Sequence, residues 1–112
     1  MNIGKIGENI AKNYLIQKGF RILKTNFHSR YGEIDIICEN FEYIVFVEVK
    51  TKYKCGFYSA FERVDSYKQE KILKTIDFYF SNNNIRKQPR IDVIEVILKN
   101  DNFVINHFVN AF

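Results

Sequence analysis

Two short apolar segments carry charges that an ordinary β-hairpin has no use for. Gly32-Glu33-Ile34-Asp35-Ile36-Ile37-Cys38 and Tyr43-Ile44-Val45-Phe46-Val47-Glu48-Val49-Lys50-Thr51 are rich in β-branched and aromatic residues, and the link Glu39-Asn40-Phe41-Glu42 is short enough for an antiparallel hairpin. Isoleucines and valines leave neither face of these strands obviously wet. Asp35, Glu48 and Lys50 therefore cost folding free energy unless something compensates them. Two acids with a lysine two residues beyond the second suit a phosphodiesterase dependent on Mg2+ or Mn2+: the carboxylates hold the cation, and the lysine steadies the water or a phosphate oxygen.

Strand parity sharpens this reading. Ile44, Phe46, Glu48 and Lys50 fall on one face of their strand, and Tyr43, Val45, Val47 and Val49 on the other. In the preceding strand, strict alternation puts Glu33, Asp35 and Ile37 together. Paired residue numbers in an antiparallel hairpin have a constant sum, and an odd sum brings Asp35 to the side of Glu48 and Lys50. The Cβ separations are then about 5–8 Å, short enough to share a cation. Two readings stand at this point: a shared metal site, or a cross-strand Asp35–Lys50 ion pair with Glu48 solvated at the strand end.

The rest of the chain supplies one domain around these strands. At 112 residues and 46% hydrophobic content it can build a single core. A helix is predicted over residues 3–18, with Ile3, Ile6, Ile10, Ala11, Tyr14 and Leu15 at helical spacing and Gly19 as its stop. A strand follows over 20–27, and a loop over 52–63. A second helix over 64–80 has Val64, Tyr67, Ile72, Leu73, Ile76 and Tyr79 as its apolar positions. Strands over 90–98 and 103–109 are joined by Lys99-Asn100-Asp101-Asn102. The order is α-β-β-β-α-β-β, an α/β domain with a central mixed sheet flanked by helices.

Glu8 lies on or beside the apolar stripe of the first helix, where it is either a helix-start charge or a third acid over the sheet. Gln69 is in line with Ile72 and Ile76; it either closes a capping box with Ser66 or edges the site. Asp92 is expected to have a structural role, paired with Arg90 or with a helix lysine. Arg30, Lys52 and Lys54, interleaved with Tyr31 and Tyr53, suit a nucleic-acid rim, and Lys68 and Lys71 suit phosphate contacts. A net charge of +4 permits nucleic acid without demanding it.

Other classes are excluded or left without support. No apolar run approaches the roughly 18 residues of a membrane span, and the N-terminus lacks a signal-peptide core, so a cytoplasmic protein is expected. Cys38 and Cys55 lack metal or disulfide spacing and are expected to be reduced thiols; His28 and His107 stand far apart. The apolar segment from Phe103 to Phe112 either closes the core or lines a homodimer interface.

With these residues in view, the chain resembles the YraN-like family of small bacterial proteins. The matching pieces, in order, are Gly4-x-x-Gly7-Glu8-x-x-Ala11, Tyr14-Leu15, Gly19-Phe20, Ile22-Leu23-x-x-Asn26-Phe27, Gly32-Glu33-Ile34-Asp35, Val45-Phe46-Val47-Glu48-Val49-Lys50-Thr51-Lys52, Lys68-Gln69 and Arg90-x-Asp92-Val93. More broadly the chain is similar to PD-(D/E)xK nucleases, archaeal Holliday-junction resolvases in particular. The resemblance implies a restriction-endonuclease-like fold and a metal-dependent nuclease acting on DNA, including branched or structured DNA. Asp35 and Glu48 would be the metal ligands, Lys50 the catalytic lysine, Glu8 an accessory acid and Gln69 the polar residue of the following helix. A DNA-binding or adaptor protein that keeps the fold without efficient cutting is the alternative.

Overall fold

The computed structural model describes residues 2–54 and 66–112. Its elements are α1 (Ile3–Gln17), β1 (Arg21–Ser29), β2 (Gly32–Glu39), β3 (Tyr43–Tyr53), α2 (Ser66–Ser81), β4 (Gln88–Lys99) and β5 (Asn102–Phe108). This is the expected order α-β-β-β-α-β-β. The strands form one five-stranded sheet in sequence order, antiparallel throughout except for the parallel pair β3–β4. The crossover between that parallel pair contains α2, as parallel neighbours require.

Each helix covers one face. Ala11 and Leu15 of α1 pack on Ile36, Cys38, Val45, Val47, Ile94 and Val96. On the opposite face, Ile72, Ile76 and Tyr79 of α2 pack on Ile37, Ile44, Phe46, Ile91 and Val93. The alternation expected for β3 therefore holds, with Val45 and Val47 under α1 and Ile44 and Phe46 under α2. The central strand β4 is buried on both faces from Ile91 to Leu98.

α1 begins where the Asn2 side chain accepts the Lys5 N–H (3.1 Å). It ends at Gly19, whose φ of 97° lets the chain reverse while the Phe20 N–H reaches back to the Leu15 carbonyl.

Several expectations need correction. β3 runs on to Tyr53, so Lys52 and Tyr53 belong to a strand rather than a loop. Tyr67 and Leu73 of α2 are exposed; the inward stripe is Ile72, Thr75, Ile76 and Tyr79, one helical turn apart. Ser66 is already helical, so the end that a Ser66–Gln69 capping box would close, together with Val64 and Cys55, lies outside the described residues. The pleat of β2 also breaks: Ile34 and Ile37, three residues apart, belong to the same core cluster, so Glu33, Asp35 and Ile37 do not share a face. The break lies opposite an irregularity in β1. Asn26 is left-handed (φ 51°) and the β1–β2 pairing passes over Asn26 and Asp35.

Candidate active site

The β2–β3 ladder pairs Ile36 with Val47 and Ile37 with Phe46, the odd-sum register, and its paired positions end at Ile36–Val47. One step further, that register sets Asp35 opposite Glu48. With the regular pairing over, the Asp35 carboxylate takes the place of a backbone acceptor: its Oδ2 accepts the Val49 N–H at 2.8 Å. Glu48 is buried to 9% exposure, and its Oε1 accepts from the Lys68 ammonium of α2 at 2.5 Å. Glu48 is therefore not solvated at the strand end, as the ion-pair reading of the hairpin would have it.

Two acids held this closely disturb each other. Burial, then the negative charge of Glu48, push the Asp35 carboxyl up from 3.8 to about 7; Glu8 adds to this, while the Val49 N–H and Lys68 act in the opposite direction. On Lys68, burial disfavours the charged form, but the hydrogen bond and charge of Glu48, helped by Asp35, outweigh it and raise the ammonium's pKa.

Glu8 reaches this corner because α1 lies close on β3 at Gly7. A Cβ there would stand 1.8 Å from the Thr51 Oγ1, so only glycine permits the approach. Glu8 and Asp35 line a common cavity of about 160 Å3 with Lys5, Lys12, Thr25 and Asn26. Among the described residues, no three His, Cys, Asp or Glu side chains are drawn together tightly enough to hold a cation by themselves. The oxygen donors present suit a hard cation that completes its shell with water or substrate oxygens.

Lys50 lies half-buried beyond Glu48 on β3, in register with Glu95 of β4. Glu95 is fully buried; its carboxylate accepts from the Asn106 amide (2.9 Å) and faces the Lys52 ammonium at 4.0 Å. Lys52 thus points along the sheet to Glu95, whereas Lys54 is exposed at the strand end. The Arg30 guanidinium donates to the Tyr31 hydroxyl (2.8 Å) and lies 5.0 Å from the centre of its ring. Lys71 stands 4.8 Å over the ring of Tyr67. Gln69 is half-buried at the start of the inward stripe of α2.

Sequence reasoning passed over Glu95 and the direct engagement of Glu48 by Lys68. Glu95 carried the same signal as Asp35, an acid inside an apolar strand, within Val93-Ile94-Glu95-Val96-Ile97. The Lys68 contact had no such signal, because twenty residues separate it from Glu48. Asp92 has the structural role expected. Arg90 forks onto both its oxygens (3.0 and 2.8 Å), the Asn110 N–H donates to one, and His107, itself linked to the Tyr14 hydroxyl (2.9 Å), bonds the other at 2.7 Å. This network lies on the α1 side and ties the C-terminal segment to β4.

The family described as "Uncharacterised protein family UPF0102" matches residues 7–96, from the glycine that seats α1 to the middle of β4. The UPF0102 protein TTE1452 of Caldanaerobacter subterraneus subsp. tengcongensis is 44% identical over 98% of this chain and 93% of its own length. A UPF0102 protein of Persephonella marina is 46% identical over 97% and 91%. One from Campylobacter jejuni subsp. jejuni serotype O:23/36 is 48% identical over 88% and 84%.

Proposed function

Because this chain belongs to the UPF0102 family and brings Asp35, Glu48 and Lys50 to the end of one hairpin, we propose that it is a metal-dependent nuclease hydrolysing DNA phosphodiester bonds. The observation that carries this reading is the opposition of Asp35 and Glu48 where their ladder stops. Glu48 is buried and Asp35 half-buried; that burial, followed by the charge of Glu48, lifts the Asp35 carboxyl to about 7. A Mg2+ or Mn2+ ion held by Asp35 and Glu48, with Glu8 at its edge, would neutralise them and supply Lewis-acid stabilisation of the developing phosphate charge.

The chain's own residues supply the rest. The Val49 N–H fixes the orientation of Asp35, leaving the second carboxylate oxygen for other partners. Lys50 follows Glu48 on the same strand face and offers its ammonium to a phosphate oxygen. Lys5 and Lys12 line the cavity beside Asp35 and would neutralise neighbouring phosphates. Cys38 is buried with its thiol pushed up to about 12 by burial, so it takes no part as a nucleophile and suits a reducing, cytoplasmic setting. Among the described residues no helix is long and apolar enough to cross a membrane. Phe103, Val104 and Val109, exposed on and just after the edge strand β5, would suit pairing with a second copy, which light scattering would read.

The test is a titration of the purified protein with Mg2+ and Mn2+ on single-stranded, duplex, flap and four-way DNA, alongside Asp35→Ala and Lys50→Ala. Cleavage that needs the metal and is lost in both variants is expected; unaltered cleavage by both would sink the proposal. One observation favours the second reading, a DNA-binding protein that does not cut. The Lys68 ammonium itself offsets the charge of Glu48, one of the two proposed ligands. Salt-sensitive DNA binding without turnover in any divalent cation would decide for that reading.

A further inference from the structure

The turn between β1 and β2 packs against α2. A Cβ on Gly32 would lie 3.6 Å from the Lys71 Cβ and 3.4 Å from the Thr75 Oγ1, and the Ser29 hydroxyl bonds that of Thr75 at 3.3 Å. This contact sets Tyr31 beside Phe78, with ring centres 6.4 Å apart and planes at 62°. Phe78 points outward at 39% exposure. Together with Lys74, Asp77 and Ser81, the two rings line an open cavity of about 320 Å3.

The surroundings of this cavity carry the chemistry of a nucleotide. The two rings, in edge-to-face contact, give an exposed surface for stacking, Asp77 and Ser81 bring hydrogen-bonding groups to the same cavity, and Arg30, Lys71 and Lys74, the last paired with Glu70 at 3.2 Å, supply cations for a phosphate backbone. A base inside a duplex is stacked on both faces and paired along its edge, so it cannot enter. An unpaired base can.

We propose that this cavity holds an unpaired base, and that the chain therefore prefers DNA in which a single-stranded segment adjoins the cutting site. The placement of that site rests on the nuclease reading; the cavity itself does not. Tyr31 stands in the turn that opens β2 and Asp35 is the fourth residue of that strand, so they lie at most about 13 Å apart along the chain. At ~3.4 Å per nucleotide of a stacked strand, that is at most about four nucleotides. The substrate class is a flap, fork or overhang, with the captured base within about four nucleotides of the scissile phosphate.

Binding in EDTA isolates this inference from cleavage. Fluorescence anisotropy with labelled single-stranded, blunt duplex and flap DNA should show the single-stranded and flap forms binding about tenfold tighter than the duplex. Tyr31→Ala should weaken flap and single-strand binding about 5–10-fold and leave duplex binding unchanged, while Tyr31→Phe should retain it. A circular-dichroism melt confirms that each variant is folded. Equal affinity of the wild-type chain for all three DNAs, or unaltered flap binding by folded Tyr31→Ala, overturns the proposal. Flap-selective binding without cleavage in Mg2+ or Mn2+ would remove the nuclease reading and keep the cavity. Cleavage of flap and blunt duplex alike, unaffected by Tyr31→Ala, would do the reverse.

Discussion

Replacing Asp35 by asparagine should make the fold more stable above neutrality while abolishing its chemistry. The carboxyl is raised from 3.8 to about 7 by burial and then by Glu48. At ~1.4 kcal/mol per pH unit, this corresponds to about 4 kcal/mol of disfavoured ionisation. Asp35 keeps some contact with solvent, which screens the repulsion, so about 2–4 kcal/mol is expected. The sign follows from proton binding. Below pH ~4 the group is neutral in the folded and unfolded chains alike, and no penalty exists. Between pH ~4 and ~7 the unfolded chain has released this proton while the folded chain keeps it, so stability falls with rising pH. Above pH ~7 the full penalty remains. The substituted side chain would carry no charge, yet its amide oxygen can still accept the Val49 N–H that Asp35 accepts at 2.8 Å. Urea unfolding in EDTA should therefore give equal midpoints for Asp35→Asn and wild type near pH 4. At pH 8 the variant's midpoint should be higher by about 1–2 M. Adding Mg2+ at pH 8 should raise the wild type and leave the variant unmoved. A variant less stable than wild type at pH 8, or a gap that does not change with pH, would refute the repulsion on which the site rests.

Other perturbations test its remaining parts. Lys50→Ala should lower single-turnover cleavage by about 10²–10³-fold with metal affinity unchanged in calorimetry; equal loss of both would assign Lys50 to holding the site together instead. Lys68→Ala should tighten Mn2+ binding several-fold in a paramagnetic resonance titration, because the ammonium and the cation compete for Glu48, and weaker binding would rule that competition out. Asp92→Ala should cost about 3–5 kcal/mol in urea unfolding, since it strands the Arg90 guanidinium that now forks onto it. Gly7→Ala should destabilise the chain by about 1–3 kcal/mol, and Thr51→Gly should restore most of it, because the added methyl collides with the Thr51 side chain.

The residues by themselves determined the elements and the partition of β3. The i, i+3, i+4 pattern of Ile3 to Leu15 can bury its stripe only as a helix, and the alternation from Tyr43 to Val49 can satisfy two helical layers only as a strand. The same local logic marked Asp35 and Glu48, because an acid inside an apolar strand is costly wherever the chain goes. What the sequence left open was set by packing between distant segments. Two alternations were compatible with the hairpin, and the register with Ile36 opposite Val47 chose the one that opposes the acids. The pleat of β2 breaks around Asp35, across from the left-handed Asn26 of β1, and no periodicity within β2 carries that break. Lys68 meets Glu48 because α2 crosses above β3, and Glu8 arrives because Gly7 lets α1 settle on Thr51. Local patterns act over a few residues. The site draws on four elements, α1, β2, β3 and α2, so its charges could be named from the chain but brought together only by the fold.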